Sequence, residues 1–172
     1  MRPMRDYIFD TTALSNFAAT GRVELLDTRY RGVAFTTLEV TGELRRGVKA
    51  GYSYLEYVLN QIEPVNSEGW IQIMLPNSAA EHRLQSEFDQ FLDPGEASCL
   101  ALAISRHMTL VTDDLAARRL AEKREVPLSG TLGILIALVR QNTFSLKEAN
   151  TILAAMIQRR YRSPVDSLDE FI

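Results

Sequence analysis

Acidic residues in this chain directly follow short apolar runs of the kind that form buried strands. Asp10 ends the run 7–9, and Asp113 and Asp114 end the run 109–112. Because the carboxyl ends of parallel strands meet at one edge of a sheet, we expect these carboxylates to lie close together. Carboxylate oxygens are the ligands that Mg²⁺ and Mn²⁺ prefer in proteins. The pattern therefore predicts a divalent-metal site at this edge.

Two glutamates in predicted helices complete the candidate ligand set. Glu39 follows Thr36 by three residues, the spacing of a capping box, and Glu43 lies one turn further along the same face. We therefore expect Glu39 to cap this helix and Glu43 to bind the metal. Glu96 also follows a potential cap residue, Asp93, by three residues, so capping remains an alternative role for Glu96.

The other acids differ in how readily a structural role explains them. Asp114 is a candidate cap for a helix that begins at Leu115, and Asp113 is a candidate loop residue. Asp10 is harder to explain in this way. A carboxylate at the end of a buried strand is costly unless it is paired or bound to a cation.

Composition indicates a globular protein rather than a membrane or fibrous one. The chain has 172 residues, of which 46% are hydrophobic, and a net charge of −3. Its longest apolar stretch, 132–139, is far shorter than the ~20 residues of a membrane-spanning helix, so a soluble cytoplasmic protein is expected. The single cysteine, Cys99, permits no internal disulfide and is expected to be a small buried side chain on a helix.

The negative net charge argues against a broad basic face for duplex DNA, but it does not exclude RNA. An enzyme that holds phosphates through metal ions can have an acidic site if nearby cations attract the nucleic-acid backbone. The candidates for this role are Arg45, Arg46, Arg118 and Arg119, although most such residues only solvate a helix face.

Predicted strands alternate with predicted helices along the chain. Strands are expected at 6–10, 32–35, 70–75, 109–111 and 126–128, with helices between them that include one over 52–62. Strands separated by helices form a parallel sheet with right-handed crossovers. The predicted fold is therefore a three-layer α/β/α sandwich around a central parallel sheet. We expect one domain over 1–162 and a loosely held acidic tail over 163–172.

Taken together, these motifs resemble a PIN domain, the small metal-dependent nuclease fold. The resemblance rests on the segments 9–14 around Asp10, 40–44 around Glu43, 96–103 after Glu96 and 110–114 around the acidic pair. The segment 95–97, the acidic doublet, Arg118 and the segment 130–133 resemble an uncharacterised branch of the family related to VapC-type toxin ribonucleases. Glu96 departs from the family pattern, which more often has aspartate there.

The resemblance implies an endoribonuclease that cleaves RNA phosphodiesters by metal-activated water. It assigns Mg²⁺ or Mn²⁺ to Asp10, Glu43, Glu96 and Asp114, with Asp113 as an auxiliary acid. Three hydroxyl residues are candidates to orient water or phosphate, and each is equally credible as a cap or turn residue; they are Thr11, Ser15 and Thr112. The resemblance also implies a homodimer and, for the toxin branch, a small antitoxin partner.

Other classes fit the sequence less well. A haloacid-dehalogenase-type phosphatase needs a second aspartate two residues after the first, where this chain has Thr12. His82 and His107 lack partners at zinc-ligand spacing. The alternative that stays open is a catalytically weak PIN fold that binds RNA or a protein partner.

Overall fold

The computed structural model describes residues 5–172; residues 1–4, which belong to the predicted domain 1–162, lie outside the described part. Within that part, short parallel strands form one sheet. They are β1 (Tyr7–Phe9), β2 (Ala34–Thr36), β3 (Ile62–Glu63), β4 (Ile71–Ile73), β5 (Thr109–Val111) and β6 (Leu128–Ser129). Their order across the sheet is β3-β4-β2-β1-β5-β6.

Helices connect and cover these strands. They are α1 (Thr11–Ala19), α2 (Glu24–Tyr30), α3 (Leu38–Lys49), α4 (Glu56–Leu59), α5 (Ala79–Phe88), α6 (Pro94–Ser105), α7 (Leu115–Lys123), α8 (Thr131–Arg140) and α9 (Leu146–Gln158). Single 3-10 turns occur at Ser53–Leu55 and Asp169–Phe171. The predicted three-layer α/β/α fold is confirmed.

The central strands are apolar because helices cover both faces of the sheet. Ile8 and Phe9 of β1 and Leu110 and Val111 of β5 are fully buried. β1 and β5 pair in parallel, with Phe9 opposite Val111. This register ends the two strands at the same level, so the residues that follow them lie at one edge.

The connectivity creates a switch point between β1 and β5. From β1 the chain adds β2 and then the β4–β3 pair on one side, and it later adds β5 and β6 on the other side. Ligands of open parallel sheets bind where the strand order reverses in this way. Asp10 follows β1 and the segment 112–114 follows β5, so these residues lie at the switch point.

The predicted capping box of Thr36 and Glu39 is wrong. Thr36 is the last residue of β2, and its buried hydroxyl donates a hydrogen bond to the Phe9 carbonyl at 2.9 Å. The helix instead begins one residue later, with Thr37 accepting from the Val40 amide at 3.2 Å. Because Thr36 belongs to β2, the helix cap is the next residue, Thr37. The Glu39 side chain instead accepts a hydrogen bond from the Gln85 amide side chain at 2.8 Å.

The predicted helix over 52–62 is formed only in part, at 53–59, and its last residue belongs to a strand. The chain forms a 3-10 turn at Ser53–Leu55, the single turn α4, and then β3. Ile62 is fully buried and pairs with Ile71 of β4. A two-residue strand is too short to show an alternating pattern, so its sequence carries no strand signal.

The buried helix α6 explains the environment of Cys99. Most of α6 is apolar and inaccessible to solvent, as expected for a helix packed on several sides. Cys99 is fully buried, and its thiol contacts the Phe9 carbonyl at 3.4 Å. The thiol is thus a core side chain, as predicted.

Residues 163–172, expected from the sequence as a loosely held tail, contact the last two helices. Leu168 is fully buried, and its amide donates to the Asn150 side chain at 2.8 Å. Arg140 donates to the Phe171 carbonyl at 2.8 Å. Among residues 5–172, no helix has the length and apolar character needed to cross a membrane.

Candidate functional site

Asp10 lies at the switch point and is fully buried. It caps α1, and its Oδ1 accepts hydrogen bonds from the Thr12 amide at 2.9 Å and the Thr12 hydroxyl at 2.7 Å. Its Oδ2 accepts a hydrogen bond from the Thr112 hydroxyl. Burial raises the pKa of Asp10 to about 7, and the threonine donors only partly offset this effect. The charged carboxylate is therefore disfavoured at this position without a cation.

Glu96 and Asp114 share the electrostatic environment of Asp10. Glu96 lies in the first turn of α6, and its Oε2 accepts from the Asp93 amide at 3.2 Å. Asp114 caps α7, and its Oδ1 accepts from the Ala117 amide at 2.8 Å. Burial, together with the charges of Asp114 and Asp10, raises the pKa of Glu96 to about 7. Glu96 and Asp114 thus both make the helix-capping contacts that the sequence analysis gave as alternatives to metal binding.

Glu43 lies between the amino termini of two helices. Its Oε1 accepts from the Gly95 amide of α6 at 2.8 Å, and its Oε2 accepts from the hydroxyl of Thr11 in α1. The amino end of a helix attracts negative charge. Residue 95 must be glycine for this contact, because a Cβ there would lie 2.5 Å from Glu43 Oε2. Glu43 therefore joins α3 to α1 and α6 beside the switch point.

Asp113 is held by contacts with other elements. Its Oδ2 accepts from the Asn16 side chain at 3.0 Å, and its Oδ1 accepts from the Thr131 amide at 2.9 Å. The Tyr161 hydroxyl donates to Oδ1 at 3.5 Å. Both carboxylate oxygens therefore tie the loop after β5 to α1, α8 and the segment after α9.

The predicted hydroxyl residues have different environments. Thr11 donates to Glu43, and Thr112 donates to Asp10 while accepting from the Asp114 amide at 3.1 Å. Thr11 and Thr112 therefore orient candidate acids. Ser15 lies one turn after Thr11 on α1 and is half-buried.

The predicted RNA-backbone arginines divide into two kinds. Arg118 donates to the Thr112 carbonyl at 2.9 Å and to the Ser129 carbonyl at 3.1 Å, so its guanidinium ties the ends of β5 and β6 together. Arg45, Arg46 and Arg119 are exposed on α3 and α7. Among the described residues, the ion pairs involve other arginines, which are Arg22, Arg31, Arg106 and Arg124.

Sequence reasoning missed several residues that support the acids. Thr12 was detectable, because a hydroxyl two residues after an aspartate at a helix start is a common local hydrogen-bonding pattern. Besides Asp10, its hydroxyl contacts the Asp113 amide at 2.9 Å. Asn16 and Tyr161 reach Asp113 from distant elements, and the sequence contains no local signal for such contacts.

The donor set fits a hard divalent cation in chemistry. All the candidate ligands are oxygens, and burial raises the pKa of Asp10 and Glu96, so a nearby cation would favour their charged forms. However, no three acidic, histidine or cysteine side chains within residues 5–172 are arranged to hold one ion by themselves. Mg²⁺ commonly binds one or two carboxylates and completes its shell with water and substrate phosphates. The residues fit this second arrangement.

Comparisons with known proteins give one result. A family model described as DUF3368, a PIN domain, matches residues 6–172. No curated protein and no solved structure has a significant match to the chain.

Proposed function

Because the chain belongs to the PIN-domain family DUF3368, whose fold is of the nuclease type, we propose that it is a metal-dependent endoribonuclease. The observation that carries the proposal is the buried Asp10 at the switch point, next to Glu96 and Asp114. Both Asp10 and Glu96 have a pKa raised to about 7. Perturbed acids at the ligand-binding edge of a sheet are characteristic of functional sites.

We assign the cation to Asp10, Glu96 and Asp114, with one or two of them as direct ligands. When bound, Mg²⁺ or Mn²⁺ would lower the pKa of a water and neutralise charge on the phosphate. Thr12 and Thr112 hold both oxygens of Asp10 in place, so the carboxylate needs little rearrangement to bind an ion. This preorganisation is what an electrostatic catalyst requires.

Glu43 and Asp113 complete the acidic edge. Glu43 would contribute negative charge while its two hydrogen bonds keep α1 and α6 aligned. Asp113 would act mainly by holding the loop that carries Asp114, since its own oxygens are engaged by Asn16 and Thr131. Both residues therefore affect the position of the other acids as well as the local charge.

The exposed arginines are proposed contacts for the RNA backbone. Arg45 and Arg46 follow Glu43 on α3, and Arg119 lies on α7 after Asp114. Cations beside an acidic site attract a polyanion that the acids alone would repel. Arg118, whose guanidinium already contacts two carbonyls, would support the edge instead.

The homodimer and the small antitoxin remain proposals that follow from the resemblance to toxin nucleases. Inspection of the neighbouring reading frame tests the second proposal. A short upstream frame that encodes a DNA-binding protein would support a toxin–antitoxin pair.

Cleavage of RNA tests the proposed activity. Purified protein should cut single-stranded or structured RNAs with Mn²⁺ or Mg²⁺ and stop when a chelator is added. Asp10→Ala and Asp114→Ala should abolish cleavage and keep the fold, whereas Asp166→Ala, which changes an exposed aspartate of the tail, should cleave normally. An uncut RNA panel in the presence of Mn²⁺ would refute the activity.

A second candidate function is a binding module for RNA or protein. It is favoured by one observation, which is that both oxygens of Asp10, Glu43 and Asp113 already accept hydrogen bonds from the protein. Carboxylates satisfied in this way do not need a cation. RNA binding without metal binding or cleavage would support this function.

A further inference from the structure

A cavity of about 590 Å³ adjoins the acidic edge on the side of β6. Asp113 and Asp114 form part of its wall, so it is continuous with the proposed cleavage site. Its volume lies within the range of pockets that bind small organic molecules.

Leucine side chains and one aromatic ring form part of the remaining wall, together with serines and two arginines. Leu115 and Leu132 contribute from the first turns of α7 and α8, and Tyr161 contributes from the segment after α9. Leu115 is 67% exposed. Half-buried Tyr161 and Leu132, with exposed Leu115, provide a surface that gains stability when a flat, weakly polar group covers it.

Tyr161 is fixed relative to the acids. Its hydroxyl donates to Asp113 Oδ1 at 3.5 Å. This contact sets the position of the ring beside the loop that carries Asp114.

A cation borders the same cavity. Arg162 is exposed and lies next to Tyr161, and none of the ion pairs among residues 5–172 includes it. A cavity that combines an aromatic ring and leucine side chains with a guanidinium outside these ion pairs matches a nucleotide, in which a flat base adjoins an anionic phosphate. A lipid or a purely apolar peptide would leave this charge unmatched.

We propose that this cavity binds one unpaired nucleobase of the RNA, next to the phosphodiester at the acidic edge. The inference rests on the proposed function, because it names the substrate feature recognised beside that site. Leu115, Leu132 and Tyr161 contact the base, and Arg162 contacts a neighbouring phosphate. The substrate is accordingly RNA with an unpaired nucleotide rather than a continuous duplex.

Binding of a labelled single-stranded RNA decamer in chelator tests the inference without cleavage. A set of decamers would each lack one base, leaving an abasic ribose at a different position. Removal of the base that enters the cavity should weaken binding at least about fivefold, because each stacked base contributes measurably to affinity. Removal at most other positions should have smaller effects.

Two matched pairs of variants locate the effect. In the Leu115→Ala variant, removal of that base should weaken binding less than about twofold. In the Leu75→Ala variant, which changes a leucine that is 53% exposed and outside the cavity, the fivefold loss should persist. Arg162→Gln should weaken binding of every decamer, and Arg159→Gln, which changes an exposed arginine outside the cavity, should weaken it less. All four replaced residues are exposed, so folding is not at risk.

The inference is overturned if no position shows a base-dependent loss, or if Leu115→Ala and Leu75→Ala give the same loss. An equal affinity for a duplex of the same sequence would also overturn it. Cleavage of RNA in the presence of Mn²⁺ despite such results would leave the nuclease intact. A position-dependent loss in chelator, together with no cleavage of any RNA in Mn²⁺, would support the cavity and refute the nuclease.

Discussion

Asp10 and Glu96 differ in how their carboxyl groups are stabilised, although the pKa of each is raised to about 7. Asp10 has no contact with solvent and depends on three hydrogen bonds from two threonines. Glu96 is partly accessible and interacts with the charges of two neighbours, Asp114 and Asp10. In the absence of a cation, each therefore holds a proton at a pH where an ordinary carboxyl group is ionised.

The stability of the metal-free protein should fall as the pH rises from about 4 to about 7. The folded-state pKa of Asp10 lies above the unfolded value of 3.8, so the folded protein binds a proton that the unfolded chain releases. Its contribution is fully present below the unfolded pKa and is lost as the pH passes the folded pKa. Thermal unfolding in chelator at pH 5 and pH 8 measures this difference, which should exceed ~1 kcal/mol.

Asp10→Asn should remove a large part of this pH dependence, and Glu96, whose pKa is also raised to about 7, should account for the rest. Asp166→Asn, an exposed control, should retain it. Added Mn²⁺ should flatten the dependence in the unmodified protein, because a cation favours the ionised form. A stability that rises between pH 5 and pH 8 would contradict the electrostatic description of Asp10.

Glu39→Gln should leave cleavage intact, whereas Glu43→Gln should reduce it. Glutamine at 39 can still accept from Gln85, so activity should persist. Glutamine at 43 can accept from the Gly95 amide and donate to the Thr11 hydroxyl, so the fold should be retained. Loss of the negative charge should nevertheless reduce cleavage at least about tenfold, as measured by initial rates at fixed Mn²⁺.

The opposite pattern, with Glu39→Gln inactive and Glu43→Gln active, would show that α3 contributes a different acid.

Sequence reasoning identified the acids, because a carboxylate after an apolar run is conspicuous. It could not identify the donors to Glu43, since Gly95 lies 52 positions along the chain and the contact depends on the packing of α3 against α6.

At the scale of elements, α5 and α6 are joined by a buried ion pair. Arg106, the residue after α6, donates to both oxygens of Glu81 in the first turn of α5, at 2.8 and 3.2 Å. The Glu81 side chain is only 6% exposed, and Arg106 lowers its pKa. The Asn77 amide also donates to this carboxylate at 2.7 Å. The pair therefore fixes how α6, which carries Glu96, packs on the rest of the protein.

Arg106→Met should destabilise the protein by about 3 kcal/mol, because it leaves a buried carboxylate without its cation. Urea unfolding measures this loss. Arg31→Met, which removes the partner of Asp27 in an exposed pair, should cost less than about 1 kcal/mol. Equal costs for the two variants would show that the Glu81 pair has no special role.

Elements with clear periodicity were predictable, and those defined by pairing were not. The strands β1 and β5 follow from their apolar runs, whereas β3 exists only because Ile62 pairs with Ile71. The start of α3 was missed by one residue for a similar reason. Two consecutive threonines are equivalent as caps in the sequence, and only the contact of Thr36 with Phe9 distinguishes them.

At the scale of the whole molecule, the order of the strands brings the acids together. Asp10 and Asp114 are separated by about a hundred residues and meet because β1 and β5 are neighbours. The alternation of strands and helices predicted a parallel sheet, but strand order depends on packing across the whole chain. The sheet edge, its acids and the adjoining cavity together form the surface that we propose for RNA.

The chemistry of the cleaved ends tests the central claim most directly. Hydrolysis by water at a metal site should leave 5′-phosphate and 3′-hydroxyl ends, should require Mn²⁺ or Mg²⁺, and should persist when the 2′-hydroxyl at the cleaved position is replaced by hydrogen. The account predicts this result for the unmodified protein and its loss in Asp10→Asn and Asp114→Asn. Ends that carry a 2′,3′-cyclic phosphate, or cleavage that continues in both variants, would contradict it.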